Sequence, residues 1–296
     1  VKEKKDYRDA LILLGYAYLN MHDKKNAIDA LEEAKKLDSN KSETLFFLGL
    51  AYHENNQKEL AAQLIEQAIQ KGFEPKIQAK QKLAEIYLEM KAYENAAKNY
   101  ESVIALNDSD VNYYIRPMWI YIDQLNQPEK ALKLAEKAAE KNPDSAMAQN
   151  LLGWGYIAAG EHIKARDALA KALEKDPTLS AAYLNLGKLY ERLSQKDTAK
   201  EYYRTAYKLG EGTSVGDAAA NSYNKLTGTS IIAPPPDPLK FINQSTQANT
   251  LQSAPQPVAQ QIPQQIETPS YAPTVTPDSP GQNMPTFTLP PLTTAP

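Results

Sequence analysis

Apolar residues recur along the chain with the spacing of paired amphipathic helices. The pattern is clearest in residues 146–179, where Leu152, Tyr156 and Ala159 fall on one face of a first predicted helix. On a second predicted helix, apolar residues recur at i, i+3, i+4, i+7 and i+8, namely Ala165, Ala168, Leu169, Ala172 and Leu173. Neither helix can bury its stripe alone. The segment therefore predicts a helical hairpin that needs similar hairpins stacked on it.

The same unit occurs six times in nearly one frame, over residues 8–41, 42–75, 77–110, 112–145, 146–179 and 180–213. In residues 146–179, Leu152-Gly153, Tyr156, Ala165 and Pro177 match the 34-residue tetratricopeptide pattern, and the chain resembles that family. Counting each repeat from its first residue, position 8 is small in five of the six repeats, where the two helices approach closely. Its occupants are Gly15, Gly49, Ala84, Trp119, Gly153 and Gly187.

The resemblance implies an all-α fold, a right-handed superhelix of about six antiparallel helix pairs. We expect a lead-in over residues 1–7, the repeats over 8–213 and a capping helix over 214–228. That last helix has Val215, Ala218, Ala219, Ser222 and Leu226 inward and Gly228 as its stop. Such architecture says little about function, because the matching positions are packing positions.

Residues 229–296 differ in composition from the repeats. Fifteen of the twenty prolines lie there, whereas Lys240 is its only basic residue. This Pro-, Gln- and Thr-rich composition predicts a disordered tail that acts as a linker or solubilising segment.

Two repeats depart from the pattern. In repeat four, Pro117 removes a backbone donor inside the first helix and Trp119 replaces the small residue at position 8, so we expect a locally kinked helix pair. The first helix of repeat one is apolar on nearly every side, although a terminal repeat normally has a polar outer face. We interpret this as a chain that is part of a longer protein or that pairs through its first repeat.

Composition narrows the possible chemistry of the 296-residue chain. The net charge of −3 gives no case for nucleic acid or an anionic membrane as the main partner, and the absence of cysteine excludes thiol chemistry. No apolar run is long enough for direct membrane insertion. His22, His53 and His162 lie in three different repeats without ligand-spaced neighbours, so we expect no metal, no cofactor and no enzyme activity.

The candidate binding surface is a stripe at positions 2, 5, 9 and 12 of each first helix, which points away from the second helix. In stacked repeats of this family these stripes line a concave groove, so we expect a protein or peptide partner with apolar anchors. Trp154 and Tyr16 are the best anchor candidates, although some stripe residues have the alternative of packing against neighbouring repeats. The predicted groove residues are Ile12, Tyr16, Leu19, Phe46, Leu50, Gln81, Glu85, Arg116, Ile120, Asp123, Asn150, Trp154, Ile157, Leu184 and Lys188.

The chaperone-tail clamp of some family members is not matched. Its Lys and Asn on the first helix correspond to Ile12 and Tyr16 here, and its next Asn corresponds to Phe47. The preferred hypothesis is therefore a protein-interaction scaffold, with alanine-rich repeats that resemble bacterial members of the family.

Two alternatives remain open. One is a regulatory or substrate-positioning region of a longer enzyme, for instance a membrane-bound glycan or cell-envelope enzyme. The other is an assembly subunit that self-associates through the first repeat, giving a homo-oligomer. The compartment is cytoplasmic by default, or membrane-associated or exported if a missing N-terminal region carries an anchor or signal.

Overall fold

The computed structural model describes residues 2–229, with side chains from residue 5 onward. These residues form helices joined by short turns, which confirms the all-α class. The helices are α1 Lys2–Asn20, α2 Lys24–Leu37, α3 Ser42–Glu54, α4 Lys58–Gln70, α5 Lys76–Glu89, α6 Tyr93–Leu106, α7 Ile115–Trp119, α8 Pro128–Lys141, α9 Ala146–Ala159, α10 His162–Lys175, α11 Ser180–Arg192, α12 Lys196–Leu209 and α13 Ser214–Thr227. Consecutive helices pack as the predicted hairpins. The predicted tail lies outside the described residues.

The chain divides into two compact units, whose described parts are residues 2–108 and 109–229. The first unit has a core that runs through α1 to α5, in which Phe46 stacks on Phe73 with ring centroids 4.0 Å apart. The core of the second unit is formed by buried residues of α9 to α13, which include Tyr183, Tyr202 and Tyr203. Helix α1 begins at Lys2, so part of the expected lead-in is helical.

Close approach within each hairpin explains the small residue at position 8. A Cβ added to Gly153 would lie 2.5 Å from Leu169 Cγ, and one added to Gly187 would lie 2.4 Å from the Tyr203 ring. Gly15 and Gly49 face Leu31 and Ile65 in the same way. In these four repeats the large partner occupies position 24, so the two helices interlock through one small and one large residue.

Repeat four has an irregular first helix. A 3-10 turn, Val111–Tyr114, precedes the five-residue α7, and a π segment, Ile120–Gln124, follows it. Because Pro117 has no N–H, the carbonyl of Tyr113 cannot receive the usual helical hydrogen bond from it. Instead, the N–H of Ile115 bonds to the carbonyl of Asn112, and the N–H of Leu125 bonds to that of Ile120 over a wider turn.

Helix α13 packs on α12 and ends the described array. Ala219 and Tyr223 are buried against the rest of the second unit, and Arg204 donates a hydrogen bond to the Tyr223 hydroxyl (2.8 Å). Gly228 ends the helix with a left-handed backbone, φ 73°. Glycine adopts this conformation without a Cβ penalty, as expected for the stop residue.

Candidate partner-binding cleft

The second unit contains a cleft of about 450 Å³ built by three consecutive repeats. Its walls come from the π segment of repeat four and from α9 and α11, which pack against each other. A volume of this size is typical of sites that hold a small molecule or a few peptide side chains. The lining residues are Ile122, Asp123, Trp154, Ile157, Ala158, Lys188, Glu191 and Arg192.

Trp154 provides the largest apolar surface of the cleft. Its side chain is only partly buried and lines the cleft. Ile157 lies one turn further along the same helix and is buried. Because Ile157 is only 2% exposed, the apolar surface that a partner side chain can contact is mainly that of Trp154.

Lys188 carries a positive charge beside Trp154. Its Nζ lies 5.9 Å from the centroid of the Trp154 ring, a cation–π distance. Burial lowers the pKa of Lys188, an effect that Asp123 and Glu191 oppose and Arg192 reinforces. Among the described residues, Lys188 forms no ion pair, so its ammonium group is partly dehydrated without a bonded carboxylate.

The other charged groups of the cleft are held by neighbouring elements. Arg192 donates a hydrogen bond through Nη1 to the carbonyl oxygen of Ile157 (2.8 Å), and Glu191 accepts one from the Tyr203 hydroxyl (2.5 Å). Although much of Asp123 is exposed, its carboxyl group faces the cleft. Reduced hydration there raises the pKa of Asp123, and the positive charges of Lys188 and Arg192 partly offset the rise.

Four predicted groove residues meet in this cleft, namely Asp123, Trp154, Ile157 and Lys188. The remaining predicted residues of the second unit lie elsewhere. Ile120 and Leu184 are buried in the helix packing, and Arg116 is partly buried. Asn150 is also buried, where its Oδ1 accepts a hydrogen bond from Asn185 Nδ2 (2.9 Å). Position 5 of the repeat therefore joins neighbouring first helices here.

The cleft also contains residues outside the predicted list, among them Ile122 and Arg192. Ile122 occupies position 11, which holds the packing residues Tyr156 and Tyr190 in the next two repeats. The wider π turn at residues 120–124 changes the direction of the side chains that follow, and Ile122 reaches the cleft. Arg192 lies four residues after Lys188, and this one-turn spacing was the signal that could have identified it.

In the first unit, the predicted residues are mostly core residues. Ile12, Leu19, Phe46 and Leu50 are buried, so they present little surface to a partner. Tyr16 is partly buried against Phe47, with ring centroids 5.2 Å apart. Gln81 is partly buried, and Glu85 is exposed and pairs with Lys82 (2.7 Å). The cleft of the second unit is therefore the better defined candidate site.

The histidines are placed apart from one another. His53 Nε2 lies 3.0 Å from Glu89 Oε1, and His22 Nδ1 lies 3.8 Å from Glu54. Across residues 5–229, no group of three or more His, Asp or Glu side chains has the arrangement of a metal site. No described helix is both long enough and apolar enough to cross a bilayer.

Family models of tetratricopeptide repeats match most of the described chain. Residues 6–75 and 77–110 each match a model described as tetratricopeptide repeat. Residues 112–222 match a model described as the Psidin N-terminal TPR repeats region. Together these matches span both units.

The chain is also similar to individual relatives and solved structures. Protein bimA of Emericella nidulans is 30% identical over 87 residues, which is 29% of this chain and 11% of the relative, so the chain spans about a tenth of that protein. A tetratricopeptide repeat protein from Parabacteroides merdae has a TM-score of 0.52 at 17% identity, with coverage of 75% of this chain and 93% of that one. YrrB, a TPR protein with an unusual peptide-binding site, has a TM-score of 0.47 at 19% identity, with coverage of 62% and 93%. The chain belongs to the tetratricopeptide repeat family.

Proposed function

We propose that this protein is a non-catalytic interaction scaffold and that the cleft around Trp154 binds a short segment of a partner protein. The family membership supports the general role. The proposed binding role of the cleft rests on one observation. A partly exposed tryptophan and a lysine without an ion-pair partner lie together in a cleft shared by three repeats. Aromatic residues in such partly enclosed positions dominate binding energies at protein interfaces.

The chemistry of the cleft favours a particular kind of segment. Trp154 offers an apolar surface, which suits a large apolar side chain. Lys188 is partly dehydrated and lacks a bonded carboxylate, so an acidic group next to that apolar side chain would gain a charge-assisted hydrogen bond. We therefore expect the partner segment to carry an apolar anchor with a carboxylate beside it.

A peptide-display selection on the full chain tests this proposal. Peptides that bind the wild-type protein should lose about 2 kcal/mol, or about 30-fold in affinity, in the Trp154→Ala variant. Lys188→Gln should weaken mainly those peptides that contain an acidic residue. Ile163→Ala is the matched control, because Ile163 is an exposed apolar residue of the same repeat that does not line the cleft.

Calorimetry or fluorescence anisotropy gives the affinities, and circular dichroism verifies that each variant is folded. If the selected peptides bind Trp154→Ala and wild type equally well, the partner binds elsewhere on the protein. If they lose affinity for Ile163→Ala as well, the effect is not specific to the cleft.

A further inference from the structure

The cleft around Trp154 contains two opposite charges that are not paired with each other. Asp123 lies on the π segment of repeat four, and Lys188 lies on α11 of repeat six. Among the described residues, neither side chain forms an ion pair or a hydrogen bond with another side chain. Their charges nevertheless interact across the cleft, since Lys188 partly offsets the rise in the pKa of Asp123. The cleft therefore has a carboxylate on one wall and an ammonium group on another.

The other two charged side chains of the cleft already have partners. Arg192 donates to the carbonyl of Ile157, and Glu191 accepts from the Tyr203 hydroxyl. Removing hydration from a charge without supplying a partner costs free energy. A bound segment that brings an opposite charge to Asp123 and another to Lys188 would offset this cost, so these two groups are the polar contact points of the cleft.

The balance of charge in the cleft favours a segment that carries both signs. Its lining contains two acidic side chains and two basic ones, so their formal charges cancel. A segment with only acidic groups is attracted by Lys188 but repelled by Asp123. A segment with a basic and an acidic group is attracted at both places and repelled at neither. Charge complementarity therefore favours the second kind of segment.

The positions of the three contact points set the order of groups along the segment. Three consecutive repeats supply them: Asp123 from repeat four, Trp154 from repeat five and Lys188 from repeat six. Packed helices lie about 8–10 Å apart, and an extended chain advances about 3.3 Å per residue, so about six residues cover the two steps from repeat four to repeat six. The aromatic surface lies between the two charges.

We propose that the cleft recognises an extended partner segment of about six residues in which a basic residue binds Asp123, an apolar residue packs on Trp154 and an acidic residue binds Lys188. This inference rests on the proposed function. To the apolar anchor and carboxylate expected there, it adds a basic residue on the opposite side of the anchor and assigns Asp123 as the residue that selects it.

Display of random hexapeptides on the full chain tests the predicted composition. Bound peptides should be enriched in sequences that carry a basic and an acidic residue on opposite sides of a large apolar one. One selected peptide is then synthesised in two versions, the second with its basic residue replaced by glutamine, and fluorescence anisotropy gives the affinity of each version.

The Asp123→Asn variant tests the contact itself. It should weaken binding of the basic version about 5-fold, the upper range for a partly exposed ion pair. Binding of the glutamine version should stay unchanged or become tighter, because the variant removes only a repulsion from the acidic residue. Asp144→Asn is the matched control, since Asp144 is fully exposed in the second unit and does not line the cleft. Circular dichroism verifies that both variants are folded.

The possible failures are distinguishable. If the selected peptides lose affinity in Trp154→Ala but Asp123→Asn affects both versions equally, or neither, the peptides bind in the cleft and only this inference is wrong. Selected peptides that contain acidic residues without basic ones would overturn it in the same way. If the peptides bind Trp154→Ala as tightly as wild type, the proposed function and this inference both fail.

Discussion

The residue at position 15 of each repeat has a left-handed backbone, because it reverses the chain between the two helices of a hairpin. Gly160 holds this position in repeat five with φ 79°. In the other repeats the same turn is made by non-glycine residues with φ between 49° and 59°, namely His22, Asn56, Lys91, Asn126 and Ser194. A side chain with a Cβ is strained in this region, so these turns store conformational energy that glycine would release.

Replacing Lys91 with glycine should therefore stabilise the protein. We expect a gain of about 0.5–1 kcal/mol in the free energy of unfolding, measured by urea denaturation. Gly160→Ala is the matched control at the same repeat position and should destabilise the protein, although an added Cβ at Gly160 would meet no atom within 4 Å. If Lys91→Gly instead lowers the free energy of unfolding, the interactions of the lysine side chain stabilise the protein by more than its left-handed backbone destabilises it.

At the scale of helices, neighbouring repeats are joined by hydrogen bonds from a tyrosine of one repeat to a glutamate of the preceding one. The Tyr52 hydroxyl donates to Glu32 Oε1 (2.9 Å), and the Tyr87 hydroxyl donates to Glu66 Oε1 (2.5 Å). Both tyrosines occupy position 11 and both glutamates position 25. Burial, followed by the neighbouring carboxylate, raises the pKa of each tyrosine to about 12.

These hydrogen bonds predict a loss of stability at alkaline pH. Since the folded-state pKa lies above the ordinary value of about 10, the contribution is present in full below pH 10 and is lost as the pH rises toward 12. The Tyr52→Phe variant should be less stable than wild type at pH 8, and the difference should shrink above pH 10. Denaturation at a series of pH values measures it. A difference that does not change with pH would show that the hydroxyl of Tyr52 contributes no linked proton.

The helices themselves could be predicted from sequence because each carries a periodic apolar face. The site could be predicted only in part. Positions 9 and 12 gave Trp154, Ile157, Lys188 and Asp123, because regular helices keep these positions on one face. Ile122 was missed because a π turn depends on local backbone hydrogen bonds, and no residue pattern in the sequence predicts it. Burial of position 5, as at Asn150, depends on how closely first helices stack, which is a property of tertiary packing.

At the scale of the whole molecule, the described array ends with α13, which packs one face on α12 and is capped at its C-terminus. Ala219 and Tyr223 of α13 are buried, Arg204 bonds to Tyr223, and Gly228 closes the helix. The apolar residues of α12, such as Tyr202 and Tyr203, are likewise buried by helices of the same unit. The described helices of the second unit therefore bury these residues among themselves.

Removing residues 230–296 should leave the fold intact. We expect the helical signal in circular dichroism and the thermal unfolding midpoint to stay nearly unchanged, because that segment has no periodic apolar stripe to pack on α13. A truncation after residue 213 is the matched comparison and should lower the midpoint, since it removes Tyr223 from the core and leaves Arg204 without its hydroxyl partner. If removal of residues 230–296 lowers the midpoint by several degrees, a stabilising contact should be sought first in residues 231–242. The apolar residues to substitute there are Ile231, Ile232, Leu239, Phe241 and Ile242.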